Sequence, residues 1–269
     1  MTPTARHENI LAQLAQRGEV NVNELAEELG VDRVTIRRDL SALEAQRLLH
    51  RTHGGAVPSR LGSVQFTFHE KQETQQAQKA AIGAAVAELI EPGMTVSLDT
   101  GTTTLAVAQA LQDCRALTVL TSSLAVASIL YPQDGIRLVI LGGMVRSESP
   151  DLFGPITQTN LRSFRVDLSV QGADGVGPDG LFTTDPETSS ISQAMMAGAE
   201  TSVLVVDSSK FGQHAFVRFA GWDDIDHVVT DDGLTPEHRA WLESAGPGLT
   251  YARVDTGRGT NYRCSQHSR

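Results

Sequence analysis

Lysine is nearly missing from this chain: three, at positions 71, 79 and 210, stand against nineteen arginines. Cysteine is scarcer still. Cys114 and Cys264 lie far apart, neither in CxxC spacing nor beside a histidine that would complete a zinc site. That excludes a disulfide framework and leaves two free thiols of a reducing compartment. No apolar run approaches the ~20 residues of a membrane span; even Arg137-Leu-Val-Ile-Leu141 is short. The first residues, Met1-Thr-Pro-Thr-Ala-Arg6, carry no apolar signal-peptide core. A cytoplasmic protein with no membrane partner is therefore expected.

What is present is an ordinary globular mixture, 40% hydrophobic and 20% charged over 269 residues, enough for one large domain or two. The formal net charge of −10 argues against nucleic acid as a partner, until the chain is divided. Residues 1–60 hold eight arginines and eight carboxylates and are neutral; the remaining 14 bases and 24 acids carry the whole excess. The acidity belongs to the second segment.

Residues 4–17 repeat apolar positions at helical spacing, with Ile10, Leu11 and Leu14 on one face. Asn21, with Glu24 three residues on, starts a second helix that Gly30 ends. Asp32 caps a third helix two residues later, which is the spacing of a helix-turn-helix. Residues 48–57 read as a strand, a Gly54-Gly55 turn and a return strand. Residues 58–76 are polar and form the expected linker, with a helix starting before Lys79. From there to about residue 254, helices alternate with short apolar runs: Thr95–Leu98, Leu117–Leu120, Arg137–Leu141, Asp167–Val170, Val203–Val206 and His227–Thr230. That is the pattern of a parallel α/β sheet. Residues 255–269 have almost no apolar content and are expected to be a disordered tail.

With residues 33–46 on a helix, Ile36, Leu40 and Leu43 cluster inward, Arg38 points nearly opposite, and Thr35 and Arg37 flank it. Arginine can donate two hydrogen bonds to guanine O6 and N7, and threonine can bond a base or touch a thymine methyl. Arg51 and His53, beside the glycine turn, are placed to meet the flanking backbone or minor groove. The bland alternative makes Arg37, Arg38 and Asp39 a solvated face with local ion pairs. In the second half, Asp99, Gly101 and the hydroxyls of Thr100, Thr102, Thr103 and Thr104 open a helix whose free N–H groups suit a phosphate. Thr121-Ser122-Ser123, Gly142-Gly143, Gly172-Ala-Asp-Gly175 and Asp207-Ser-Ser-Lys-Phe-Gly212 follow further strands, and in a parallel sheet such loops converge on one edge. A lysine kept at 210 in an arginine-rich chain supplies a compact ammonium there.

The pieces VNELAEELGV at 22–31, VTIRRDLSALE at 34–44 and RTHGGA at 51–56 together resemble the winged helix-turn-helix of the DeoR family of bacterial regulators. Over about residues 78–232, LDTGTTT, LTSSL, LGG, GADG and VVDSSKFG follow the same family's order. The resemblance implies an α/β protein: a winged helix-turn-helix at 1–57, then a ribose-5-phosphate-isomerase-like α/β sensor domain at 77–254. It implies Arg33, Thr35, Arg37, Arg38, Arg51 and His53 as DNA contacts. Asp99, Gly101, Thr102, Thr103, Thr121, Ser122, Gly172, Asp174 and Lys210 become contacts of a phosphorylated sugar effector. The partners implied are double-stranded operator DNA and further copies of the chain, in a homodimer or homotetramer. Three positions depart from the family: Asp32 replaces a usual Ser, Arg47 a common Gly, and Thr188-Ser-Ser-Ile-Ser192 a segment that often holds a Glu and a Lys. No Ser-His-Asp spacing or metal-ligand cluster occurs, so no catalytic residue, metal or cofactor is assigned. The rivals are an isomerase-like enzyme acting on sugar phosphates and an adaptor that has lost DNA binding.

Overall fold

The computed structural model describes residues 3–45, 49–52, 54–58, 68–146 and 149–254. They gather into two units, the first centred on Met1–Lys71 and the second made of Gln72–Arg146 and Pro150–Arg269. His53, Arg47 and the expected tail at 255–269 lie outside the described residues.

The first unit runs α1 (Pro3–Arg17), β1 (Val20–Asn21), α2 (Val22–Leu29), α3 (Arg33–Ala45), β2 (Leu49–Arg51) and β3 (Gly55–Pro58). Its helix ends follow from side-chain chemistry. Asn21 Oδ1 accepts the Asn23 N–H at 2.8 Å, and Asp32 Oδ1 accepts the Thr35 N–H at 2.7 Å, each satisfying a backbone donor the helix cannot. Gly30 closes α2 at φ 64°, a conformation that disfavours any side chain. β3 lies between β1 and β2 in an antiparallel sheet. A Cβ on Gly55 would stand 1.8 Å from the Val20 carbonyl oxygen, so only glycine lets this wing close. Ile10, Leu14, Leu25, Ile36, Leu40, Leu43 and Leu49 fill the core, as the helical spacing requires.

One charged pair lies at the edge of that core. Asp39 is only 6% exposed and is not part of a solvated face, because it sits on the inward side of α3 between Ile36 and Leu40. Arg6 grips it through two nitrogens, Nε at 2.5 Å and Nη2 at 3.0 Å, and His7 Nε2 lies 3.0 Å from the same carboxylate. The first turn of α1 is thereby locked onto α3. A forked, charge-assisted contact of this kind fixes angle as well as distance.

Residues 68–73, where the first unit ends and the second begins, form a helix, α4, within the expected linker. There follow α5 (Gln76–Ala87), β4 (Thr95–Leu98), α6 (Thr102–Ala110), β5 (Leu117–Thr121), α7 (Leu124–Leu130) and β6 (Ile136–Ile140). Next come β7 (Met144–Val145), β8 (Leu152–Phe153), α8 (Pro155–Leu161), β9 (Val166–Gln171), β10 (Gly175–Gly177), β11 (Gly180–Thr183) and α9 (Pro186–Ala197). The chain ends through β12 (Ala199–Val205), β13 (Val217–Ala220), β14 (His227–Asp231), α10 (Pro236–Ala245) and β15 (Gly248–Ala252). Seven strands form one parallel sheet in the order β15-β14-β12-β9-β4-β5-β6, and six of them are the predicted apolar runs. The order reverses between β4 and β9. Their loops leave in opposite directions there, which opens a crevice at the carboxyl ends. The expected Gly172–Gly175 loop is shorter than its glycines suggest, since Gly175 already pairs with Phe182 in the small antiparallel sheet β10-β11-β13.

Burial pushes the Asp39 carboxyl up, but the hydrogen bonds from Arg6 and His7 outweigh it and hold the group below the usual carboxylate range. A depressed folded pKa means the pair's stabilisation is present above the unfolded value of about 3.9 and is lost as pH falls through the folded one. Amide exchange in α1 and α3, corrected for intrinsic rate, should therefore lose protection between pH 5 and pH 3. Asp39→Asn should lower protection at pH 5 and flatten that dependence. Equal protection of variant and wild type at pH 5 would reject the assignment.

Candidate DNA interface and effector crevice

The outward face of α3 follows from its buried one. Ile36, Asp39, Leu40 and Leu43 point in; Arg33, Arg37 and Arg38 are exposed, with Arg38 on the side away from the core. Thr35 is half-buried, and its hydroxyl donates to Asp32 Oδ2 at 2.9 Å, so Asp32 holds both donors of that residue. Those two bonds pull the Asp32 carboxyl below its ordinary range against a smaller desolvation. The wing is fastened to the same helix. Arg51 donates its backbone N–H to Glu44 Oε1 at 2.9 Å and its guanidinium to Ser41 Oγ at 3.0 Å. Arg51 thus faces solvent while braced against α3, and its partners Ser41 and Glu44 were not foreseen from the sequence.

In the second unit, Asp99 stands just past β4, buried at 4% exposure. Its N–H donates to the Val170 carbonyl at 3.0 Å, and its Oδ2 accepts the Gly172 N–H at 3.3 Å. The Asp99 carboxyl is pushed up to about 7 by burial, against the pull of the Thr100 and Gly172 amides and with a further push from Asp151 and Asp174. Gly101, Thr102 and Thr103 follow, half-exposed, at the start of α6, a helix of nine residues. Thr104 is buried and donates to the Gly101 carbonyl at 2.9 Å, so it braces the turn.

Two further expected contacts also hold the loops. Thr121 is fully buried; its hydroxyl donates to the Leu98 carbonyl at 2.8 Å and accepts the Ser123 N–H at 3.0 Å. Both functions of that hydroxyl are committed inside the protein. Asp174 Oδ2 accepts the Thr184 N–H at 2.9 Å and the Thr184 hydroxyl at 3.0 Å, tying its loop to the entry of α9. Lys210 rides a 3-10 turn at Ser208–Lys210 beyond β12, half-buried, on the same edge of the sheet. At the departing Thr188–Ser192 segment, Thr188 donates to Asp185 at 3.2 Å, and Arg146 forms ion pairs with Asp185 and Glu187.

Among the described residues, buried oxygens without a hydrogen-bond partner at this edge include Asp207 Oδ2, Gln171 Oε1, Asp99 Oδ1 and Ser122 Oγ. They belong to the ends of β12, β9, β4 and β5, which are consecutive neighbours across the sheet. Buried polar atoms are almost always paired, so four in a row mark buried groups whose hydrogen bonds the chain itself leaves incomplete. Gln171 was not singled out from the sequence, and Asp207 only as the first residue of its loop. The available signal was a polar residue ending or just following an apolar strand, immediately before its loop.

The family model of the DeoR-like helix-turn-helix domain matches residues 6–59, and that of the DeoR C terminal sensor domain matches residues 74–232. The chain is 37% identical over 233 residues to the glycerol-3-phosphate regulon repressor of Escherichia coli (strain K12), covering 86% of this chain and 92% of that one. It is 33% identical over 258 residues to the lactose phosphotransferase system repressor of Lactococcus lactis subsp. lactis, covering 95% and 100%. Among solved structures, ribose 5 phosphate isomerase A from Neisseria gonorrhoeae overlaps 49% of this chain and 52% of its own, at TM-score 0.37 and 16% identity.

An acid whose folded pKa is raised costs nothing below its unfolded value near 4; the cost grows up to the folded pKa and is constant above it. With Asp99 titrating at about 7, Asp99→Asn should raise the melting temperature relative to wild type by more at pH 8 than at pH 4.5. Thermal melts at the two pH values decide this. An offset independent of pH would mean that Asp99 is not a buried, neutral-leaning acid.

Proposed function

The chain belongs to the DeoR family, and on that premise we propose that it is a sequence-specific DNA-binding repressor of carbohydrate genes, acting in the cytoplasm, whose DNA affinity is set by a phosphorylated sugar. The recognition helix is α3, with Arg38 as its central reader and Arg33, Thr35, Arg37 and Arg51 around it. His53 is proposed as a contact on the resemblance alone.

The observation that carries the effector reading is the row of four unpartnered oxygens on adjacent strand ends. Two of them, on Asp207 and Gln171, belong to carboxyl or amide groups whose oxygens accept, and Asp99 accepts when ionised, so the matching ligand is rich in hydroxyl donors. A phosphate against those carboxylates would be repelled. Its place is the start of α6, where free N–H groups and the helix dipole favour an anion and Thr102 and Thr103 add hydroxyls. Lys210 supplies the cation. The sugar hydroxyls then meet Asp99, Gln171 and Asp207, while Thr121 and Asp174 hold the loops in position. Two relatives are named for the glycerol-3-phosphate regulon and the lactose phosphotransferase system, systems whose names carry phosphate chemistry. Copies of the chain pair through the second unit to place two recognition helices on paired half-sites. The effector changes DNA affinity by preferring one arrangement of that assembly.

A gel shift with the DNA upstream of its own gene should show binding, and Arg38→Ala should weaken it by about 1–3 kcal/mol without altering the melt. Unchanged affinity would remove Arg38 from the interface. Phosphorylated sugars should raise the melting temperature where the parent sugars do not. Lys210→Ala should abolish most of that rise, at a cost of about 1.5–3 kcal/mol in ligand binding. A full response by that variant would place the phosphate elsewhere. An Asp99 carboxyl poised near neutrality has the pKa of a general base, so steady product formation in the same titration would favour the isomerase reading.

A further inference from the structure

The first turn of α3 carries a feature that the arginines do not explain. Val34 is 56% exposed, an apolar β-branched side chain on a helix whose neighbouring outward residues are charged. Branching at Cβ costs helix propensity, and an outward valine returns no burial in the unit's core. Its angular position accounts for it. At about 100° per residue, Val34 and Arg38 are four apart and share one outward stripe, opposite Ile36, Leu40 and Leu43.

Thr35, beside it, has lost its donors. Its N–H and its hydroxyl proton both go to Asp32, at 2.7 and 2.9 Å. What Thr35 can still present is its γ-methyl group and the lone pairs of its oxygen. The same corner carries the Asp32 carboxylate, which is exposed and held ionised by those bonds. A negative charge there disfavours the acceptor-rich edge of guanine, O6 and N7, and the N7 of adenine. It does not by itself choose thymine, whose O4 also accepts, over cytosine, so the choice rests on the apolar contact. Of the four bases, only thymine offers an apolar group, its C5 methyl, in the major groove.

We infer that Val34 and the methyl of Thr35 read thymine through its C5 methyl group, so that each half-site carries thymine one helical turn of α3 away from the base read by Arg38. This rests on α3 being the recognition helix. It makes Val34 a specificity-determining residue beside the arginines and gives Asp32 a second task, to silence the Thr35 donor.

The test uses the full chain and a random-sequence duplex library, with bound duplexes recovered over rounds of gel shift. One recovered duplex is then remade with each thymidine of a half-site replaced singly by deoxyuridine, which keeps the base pair and removes only the methyl. One or two positions should each lose about fourfold in affinity, the effect of exposing one buried methyl group. At those positions Val34→Ala, or Thr35→Ser with the cap to Asp32 retained, should become indifferent to the exchange. The wild-type series stands by itself if a variant fails to fold. Tolerance of deoxyuridine at every position by the wild type would overturn the inference, as would penalties that persist unchanged in both variants. Failure to enrich any duplex would instead remove the DNA-binding reading, and the inference with it.

Discussion

Asp99 donates its amide to Val170 and accepts the amide of Gly172, and these two bonds bridge the gap where the sheet changes direction. Everything proposed for the crevice depends on them. Parallel strands deliver their carboxyl ends to one edge by construction, but β4 and β9 send their chains apart at that edge. Without a clamp, the loops would have no fixed separation and the start of α6 no fixed aim. A carboxylate suits the task because it accepts from both sides, and burial then makes its charge costly. The raised Asp99 pKa is the electrostatic side of the same geometry. Thr121 continues the bracing into β5 by donating to Leu98.

The first unit solves a similar problem with a buried ion pair. α3 must turn a narrow stripe of side chains outward while its opposite face is held firmly. Leu40 and Leu43 supply the hold, but apolar contacts tolerate some rotation. The Arg6 fork on Asp39 tolerates little, since two hydrogen bonds in one plane fix the roll of the helix about its axis. A buried pair is a weak route to net stability and a better one to a unique arrangement.

Much of this was legible beforehand, and for definite reasons. Asn21, Gly30 and Asp32 mark helix ends by chemistry local to a few residues, so sequence is enough. Six strands of the large sheet carry short apolar runs and stand out for that reason. β10 and β11 escaped because they are short and contain glycine at Gly175, Gly177 and Gly180, which reads as loop. Asp39 escaped because its partner, Arg6, lies thirty-three residues away, and adjacent arginines offered nearer and misleading companions. At the crevice, the loops were legible but not the division of labour within them. Whether a hydroxyl such as that of Thr121 faces a ligand or a backbone carbonyl is decided by neighbouring strands, which no local pattern contains.

The fastening of the wing to α3 has a kinetic meaning. Arg51 joins β2 to the helix through Ser41 and Glu44, and Gly55 sets the wing against Val20 with no room for readjustment. Helix and wing therefore arrive at a groove already assembled, with little ordering left to complete on contact. Encounter is then governed by diffusion and charge, which vary little from one site to another. Discrimination between sites falls on how long the complex lasts, and the chain distinguishes its targets by residence time.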